Sequence, residues 1–169
     1  MTTDNPSNDD IQSLVTALRH SDGMTRELAR DHLVRLGSAA TPFLLPLMAD
    51  HKVQTRWEAA KALSAIADPS SIPALLLALE DNDSDVSWLA AEGLIAIGPA
   101  VAAPLLQRLI ERTGSVPLRQ GAHHVLGDLR RSEIGEATAE VHAALNGMHP
   151  DVEIVAAAER ALRSITSDG

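Results

Sequence analysis

Cysteine and tyrosine are absent from the 169 residues, and one phenylalanine and two tryptophans make up the whole aromatic content. Without cysteine there are no disulfides and no thiolate chemistry, and the redox compartment is left open. With so few aromatics and only short β-branched runs, the 45% hydrophobic content rests mostly on Ala and Leu. That balance suits packed helices and argues against a sheet. Positive charge is also scarce: 14 Lys and Arg stand against 23 Asp and Glu, a formal net charge of −9. Phosphate backbones and anionic membrane surfaces are disfavoured as partners. No apolar run approaches the ~18 residues of a membrane span. The opening MTTDNPSNDD is too polar and acidic for a signal peptide. The expectation is a cytoplasmic protein with no nucleic-acid or membrane partner. A chain of this length suits one domain, burying about two-thirds of its unfolded surface.

What is present is a period. Pro42, Pro73 and Pro104 stand 31 residues apart, and so do Trp57 and Trp88. A fixed interval of this size marks a stacked array. Aligning on it gives five units, each a helix A, a polar turn and a helix B. The A helices are expected to begin near Ile11, Pro42, Pro73, Pro104 and Ile134, because Pro fits a first turn whose N–H has no intrahelical partner. The B helices share Ala29-Leu33-Leu36, Ala59-Leu63-Ile66, Ala90-Leu94-Ile97, Ala122-Leu126-Leu129 and Ala158-Leu162-Ile165. The small Ala lets neighbouring helices approach, while Leu and Ile fill a core that no single pair can bury alone. The expected organisation is a disordered acidic tail over 1–10, one domain over 11–166 and a short tail over 167–169. Its repeats run about 11–40, 41–71, 72–102, 103–132 and 133–166, the last offset by a longer connection around Arg130 to Gly135.

The stretches TRELARDHLVRLG, TRWEAAKALSAI, VSWLAAEGLIAI and LRQGAHHVLGDL resemble HEAT-like repeats of the short, phycobilisome-lyase type. The resemblance covers about residues 11–166 and implies an all-α fold, a right-handed α-α superhelix of about five helical hairpins. The class includes scaffolds, enzyme subunits and enzymes, so it does not fix the activity. The class pattern carries an Arg in its second position, matched here by Arg26, Arg56 and Arg119 but replaced by Ser87 and Val155. A ladder of arginines between repeats is therefore expected to be interrupted.

The facing of the two tryptophans follows from helix geometry. Each residue turns 100°, so with Thr55 at zero the stripe of Ala59, Ala62, Leu63 and Ile66 centres near about 30°. Trp57 falls near about 200°, opposite that stripe, and Trp88 repeats the geometry. Both are predicted to face outward on the B-helix side, which lines the concave surface in arrays of this class. Read down each B helix, the outward column is Glu27-Asp31-Val34, Trp57-Lys61-Ser64, Trp88-Glu92-Ile95, Gln120-His124-Gly127 and Ala156-Arg160-Arg163. It begins acidic, turns aromatic and ends basic. Lys61 and Glu92 are expected to pair, and Ile95 extends an apolar patch beside Trp88.

Chemistry of other kinds is thin. His123 and His124 are adjacent and point about 100° apart. His124 and Asp128 have ligand spacing, but no third partner is evident, so no metal is assigned. His32 stands where other repeats carry Ala62, Gly93 and Ala161 and is expected on the core side. The His-Glu dipeptides of the deoxyhypusine hydroxylases in this repeat class do not occur. The acidic balance argues against the basic groove of the DNA glycosylases that share the architecture. Asp and Glu are expected mainly at caps and solvent faces, and no cofactor or catalytic residue is assigned.

The first functional expectation is a non-catalytic scaffold or adaptor that binds another protein on its concave face. Its contact residues are Trp57, Trp88, Lys61, Glu92, Ile95, Glu27, Asp31, Gln120, His124 and Arg160. A second, implied by the resemblance, is an accessory subunit of a phycobilin-lyase-like enzyme handling a tetrapyrrole or its carrier protein. A third is a structural element that uses the same patch to form a homo-oligomer.

Overall fold

Among residues 7–147 and 150–167, which the computed structural model describes, every regular element is helical. Ten α-helices form five hairpins. The A helices are α1 (Asn8–Ala17), α3 (Thr41–Leu44), α5 (Ile72–Ala78), α7 (Ala102–Glu111) and α9 (Gly135–Ala144). The B helices are α2 (Gly23–Leu36), α4 (Val53–Ile66), α6 (Ser84–Ile97), α8 (Val116–Asp128) and α10 (Pro150–Ser167).

Local chemistry sets the boundaries. The Ser7 hydroxyl accepts from the Asp10 N–H while the Asp10 carboxylate accepts from the Ser7 N–H, a capping box that starts α1 at Asn8. The expected tail over 1–10 is therefore too long, because residues 8–10 are the first turn of a helix. The rest of that tail, 1–6, lies outside the described residues. Asp22, Asp83 and Ser115 cap α2, α6 and α8, each with a side-chain oxygen that accepts from backbone N–H groups of the first turn. The second A helix is cut short, continuing beyond Leu44 as a 3-10 turn, Leu45–Ala49. Pro46 removes an N–H and crowds the carbonyl four residues back, so the helix tightens there. After α2 and α6 the chain turns on Gly37 and Gly98, with φ of 62° and 84°, a region open to glycine. Ala67 holds the same place after α4 with φ 54° and bears the Cβ crowding that glycine avoids.

Ala59, Leu63, Ala90, Leu94, Ala122 and Leu126 are wholly buried, so the B-helix pattern is the core. Each buried Leu contributes roughly 1.5–3 kcal/mol. Helices α2, α4, α6 and α8 pack side by side as one layer, and α1, α3 with its 3-10 extension, α5 and α7 form the other. The spacing is close where side chains are missing: a Cβ on Gly93 would stand 3.2 Å from the Ser64 Cα, and one on Gly121 2.8 Å from the Leu79 Cδ2.

The last hairpin departs from the expected order. Here α9 packs on α8, extending the B layer, while α10 packs on α7 and extends the A layer. The exchange is made at the long connection noted in the sequence. The 3-10 turn Leu129–Arg131 folds the chain back so tightly that a Cβ on Gly135 would overlap the Arg130 carbonyl. The assignment of Ala156, Arg160 and Arg163 to the B-layer column is corrected: they lie on α10, in the other layer.

Candidate functional site

The outer face of the B layer is narrower than a single helix suggests. On α4, the core stripe is flanked on one side by buried Glu58 and on the other by buried Ala60, because α2 and α6 cover both flanks. What remains open centres on Lys61 and Ala65, both exposed. The tryptophans sit at its margin, where they meet neighbouring helices. Trp57 is half-buried and packs against the core, with the Arg30 guanidinium carbon 5.6 Å from its ring centroid. Trp88 is 55% exposed and stacks on His124 of α8, centroids 4.5 Å apart and planes 25° from parallel.

His124 is fixed from the far side, its Nε2 lying 2.8 Å from Glu92 Oε1. The expected Lys61–Glu92 pair is thus replaced by Glu92–His124. Trp88, His124 and Gln120 line a pocket of about 250 Å³ between α6 and α8, together with Ser84, Ser87, Pro117 and the apolar Leu79, Ala91 and Gly121. A groove of about 460 Å³ lies by Trp57, lined also by Arg26, Val53, Gln54, Glu58, Asp83 and Asp85. Among the described residues the two indoles make no ring contact with each other, so they anchor two pockets rather than one platform. Of the other expected residues, Glu27 and Asp31 are exposed on α2 and Ile95 is half-buried against the core. Arg160, on α10, pairs with Glu140 of α9 at 2.9 Å.

His32 is exposed rather than in the core. Its equivalent Gly93 packs against the preceding B helix, and in the first repeat no described helix occupies that side. Acidic residues missed in the sequence sit between the repeats, paired with arginines. Arg26 and Arg30 both bind Glu58, at 2.9 and 2.6 Å, and Glu58 is buried. Arg56 binds Asp81 at 2.7 Å, Asn82 and the Asp50 carbonyl. Arg19 binds Asp50. The ladder is interrupted at Ser87, as the class pattern implied, and Glu80 supplies the next tie by accepting from Arg108, Arg112 and Ser115. Burial opposes the charge of Asp81 and of Glu80. Hydrogen bonds from Arg56 to the first, and from Ser115, Arg112 and Arg108 to the second, outweigh it and hold both carboxyls below their usual range. The assignment of acids to caps and solvent faces therefore fails at these three residues. A signal was present in the 31-residue spacing of Asp50 and Asp81.

The junction of the fourth and fifth repeats is built differently. His123 of α8 stacks on His142 of α9 with centroids 4.3 Å apart, and Asn146 Nδ2 lies 2.8 Å from His123 Nε2. Burial, with help from His123 and Arg130, pushes the His142 imidazole down from its ordinary value. The folded protein then binds fewer protons than the unfolded chain once the pH falls below about 6.5. Stability is full above that value and declines as the pH drops through the lowered folded value. The urea midpoint is expected to fall between pH 7.5 and pH 5, and to fall less in His142→Gln. An equal fall in both proteins would remove His142 from the effect.

Stacked helical hairpins in two layers, with aromatic pockets opening on one layer, define an α-solenoid. The model for HEAT repeats matches residues 11–95 and 53–127, and the chain belongs to that family. Among solved structures, the chain is similar to the complex of CpcE and CpcF of phycocyanin lyase from Nostoc sp. PCC7120. That match has 22% identity and a TM-score of 0.62, covering 89% of this chain and 99% of the other. It is also similar to an engineered protein, at 22% identity and a TM-score of 0.51, with 95% and 81% covered. No curated protein matches the sequence. No single helix among the described residues is long and apolar enough to cross a membrane.

Proposed function

We propose that the chain is a non-catalytic interaction module that holds a segment of a partner protein against the outer face of α4, α6 and α8. The observation that carries this reading is Trp88. It is an exposed indole held rigid by His124 and Glu92 at the edge of a pocket with an apolar floor. An aromatic already fixed in place loses little freedom on binding and is the residue type that dominates interface energetics.

The test places a photo-cross-linker at Gln120, on the pocket rim, in the source cell, with Arg163 on α10 as the remote control position. Cross-links from 120 and none from 163 are expected. Trp88→Ala is expected to weaken capture by about 30-fold, the ~2 kcal/mol of an anchoring residue, with the helical signal and melting unchanged. Cross-links that ignore Trp88→Ala overturn the proposal.

A second reading, an accessory role in tetrapyrrole handling, is favoured by the flat Trp88–His124 stack and by the fold shared with the lyase complex. It requires quenching of tryptophan fluorescence by a bilin or haem at micromolar concentration, lost in Trp88→Ala.

A further inference from the structure

The two pockets are separated by a single turn. Ser84, Ser87 and Trp88 of α6 face the pocket shared with α8, while Asp83 and Asp85, at the start of the same helix, face the groove by Trp57. The pockets differ in chemistry. The first has an apolar floor. The second combines an indole and the Val53 side chain with one carboxylate in excess: Glu58, Asp83 and Asp85 stand against Arg26 and Arg30, and because Asp83 caps α6 the uncommitted acid is Asp85. Arg30 already lies over the Trp57 ring, so a long cationic side chain fits with its methylene stem along Val53 and the indole and its charged head at Asp85.

We infer that the Trp57 groove receives a Lys or Arg side chain of the partner segment, which crosses the first turn of α6 to place a second, apolar side chain beside Trp88. This rests on the reading of the B-layer face as a protein-binding surface and names the partner's chemistry: a basic residue followed by an apolar one, on an extended strand of chain. The overall charge of −9 draws such a segment in, and the groove selects where its cation sits.

The experiment uses the full chain carrying Trp88→Phe, so that Trp57 is the sole indole, with hexalysine as the probe and hexaglutamate and spermine as comparisons. Hexalysine is expected to change Trp57 fluorescence saturably, and hexaglutamate to leave it unchanged. Asp85→Asn is expected to weaken hexalysine about five-fold, whereas Glu159→Gln, an equal charge change on α10, alters it less than two-fold. Equal losses from the two variants, or binding without a Trp57 signal, overturn the inference. So does spermine binding more tightly than hexalysine, because a free polyamine would then be the better occupant. The two proposals fail separately. If Trp88→Ala abolishes the cross-links but Asp85→Asn binds hexalysine normally, the interaction face stands and the basic anchor falls. If hexalysine depends on Asp85 while cross-links ignore Trp88→Ala, the interaction face falls.

Discussion

Replacing Arg56 by Ala is expected to destabilise the protein by about 3–5 kcal/mol, lowering the melting temperature on the order of 10 °C. Arg56 is 9% exposed and its guanidinium is spent on the Asp81 carboxylate, the Asn82 side chain and the Asp50 and His51 carbonyls. Removing it strands a carboxylate that burial already disfavours and leaves a turn carbonyl without its donor. The loss comes from the orphaned partners more than from the pair's own attraction. Arg56→Met combined with Asp81→Leu should therefore recover much of what Arg56→Met alone loses. Thermal melts of the single and double variants decide it: a double variant as unstable as the sum of the singles would refute this account.

Gly135→Ala is expected to cost about 1–3 kcal/mol, concentrated in the last hairpin. A methyl group there runs into the Arg130 carbonyl, and backbone cannot step aside as the end of a side chain can. The connection must open, and α9 and α10 must shift on α8 and α7. Hydrogen exchange is the informative measurement, because loss of protection is expected in α9 and α10 and not in α2, α4 or α6. Uniform loss along the array would mean that the turn is not the fulcrum.

The period was legible because it is a property of the chain alone. Prolines, tryptophans and the Ala-Leu pairs recur whatever surrounds them, and the helices fall where they require. The facing of the tryptophans was half legible. The wheel placed Trp57 and Trp88 opposite the core stripe, but a single helix carries no record of its flanks, and Arg30 and His124 come from other repeats. The same blindness hid Glu58, which reads as a solvent acid until α2 brings Arg26 and Arg30 to it. His32 erred in the other direction, because its repeat-mates are buried by a neighbour that the first repeat lacks among the described residues. The exchange of α9 and α10 was announced only by a longer connection, because pattern alone cannot say which layer a helix joins.

The ties between repeats are of two kinds, and this gives the array a direction. From the first repeat to the fourth the junctions are mainly guanidinium on carboxylate, and at Asp81 and Glu80 the hydrogen bonds from Arg56 and from Ser115, Arg112 and Arg108 overcome burial and hold the carboxyls below their usual range. The fourth and fifth repeats meet through stacked imidazoles, and burial, with His123 and Arg130, holds the His142 ring below its ordinary value, so its protonation works against the folded state. In a molecule where each unit touches only its neighbours, local weakening need not spread. Protonating His142 thus weakens the α8–α9 junction, and acidity works on the array from its α9–α10 end.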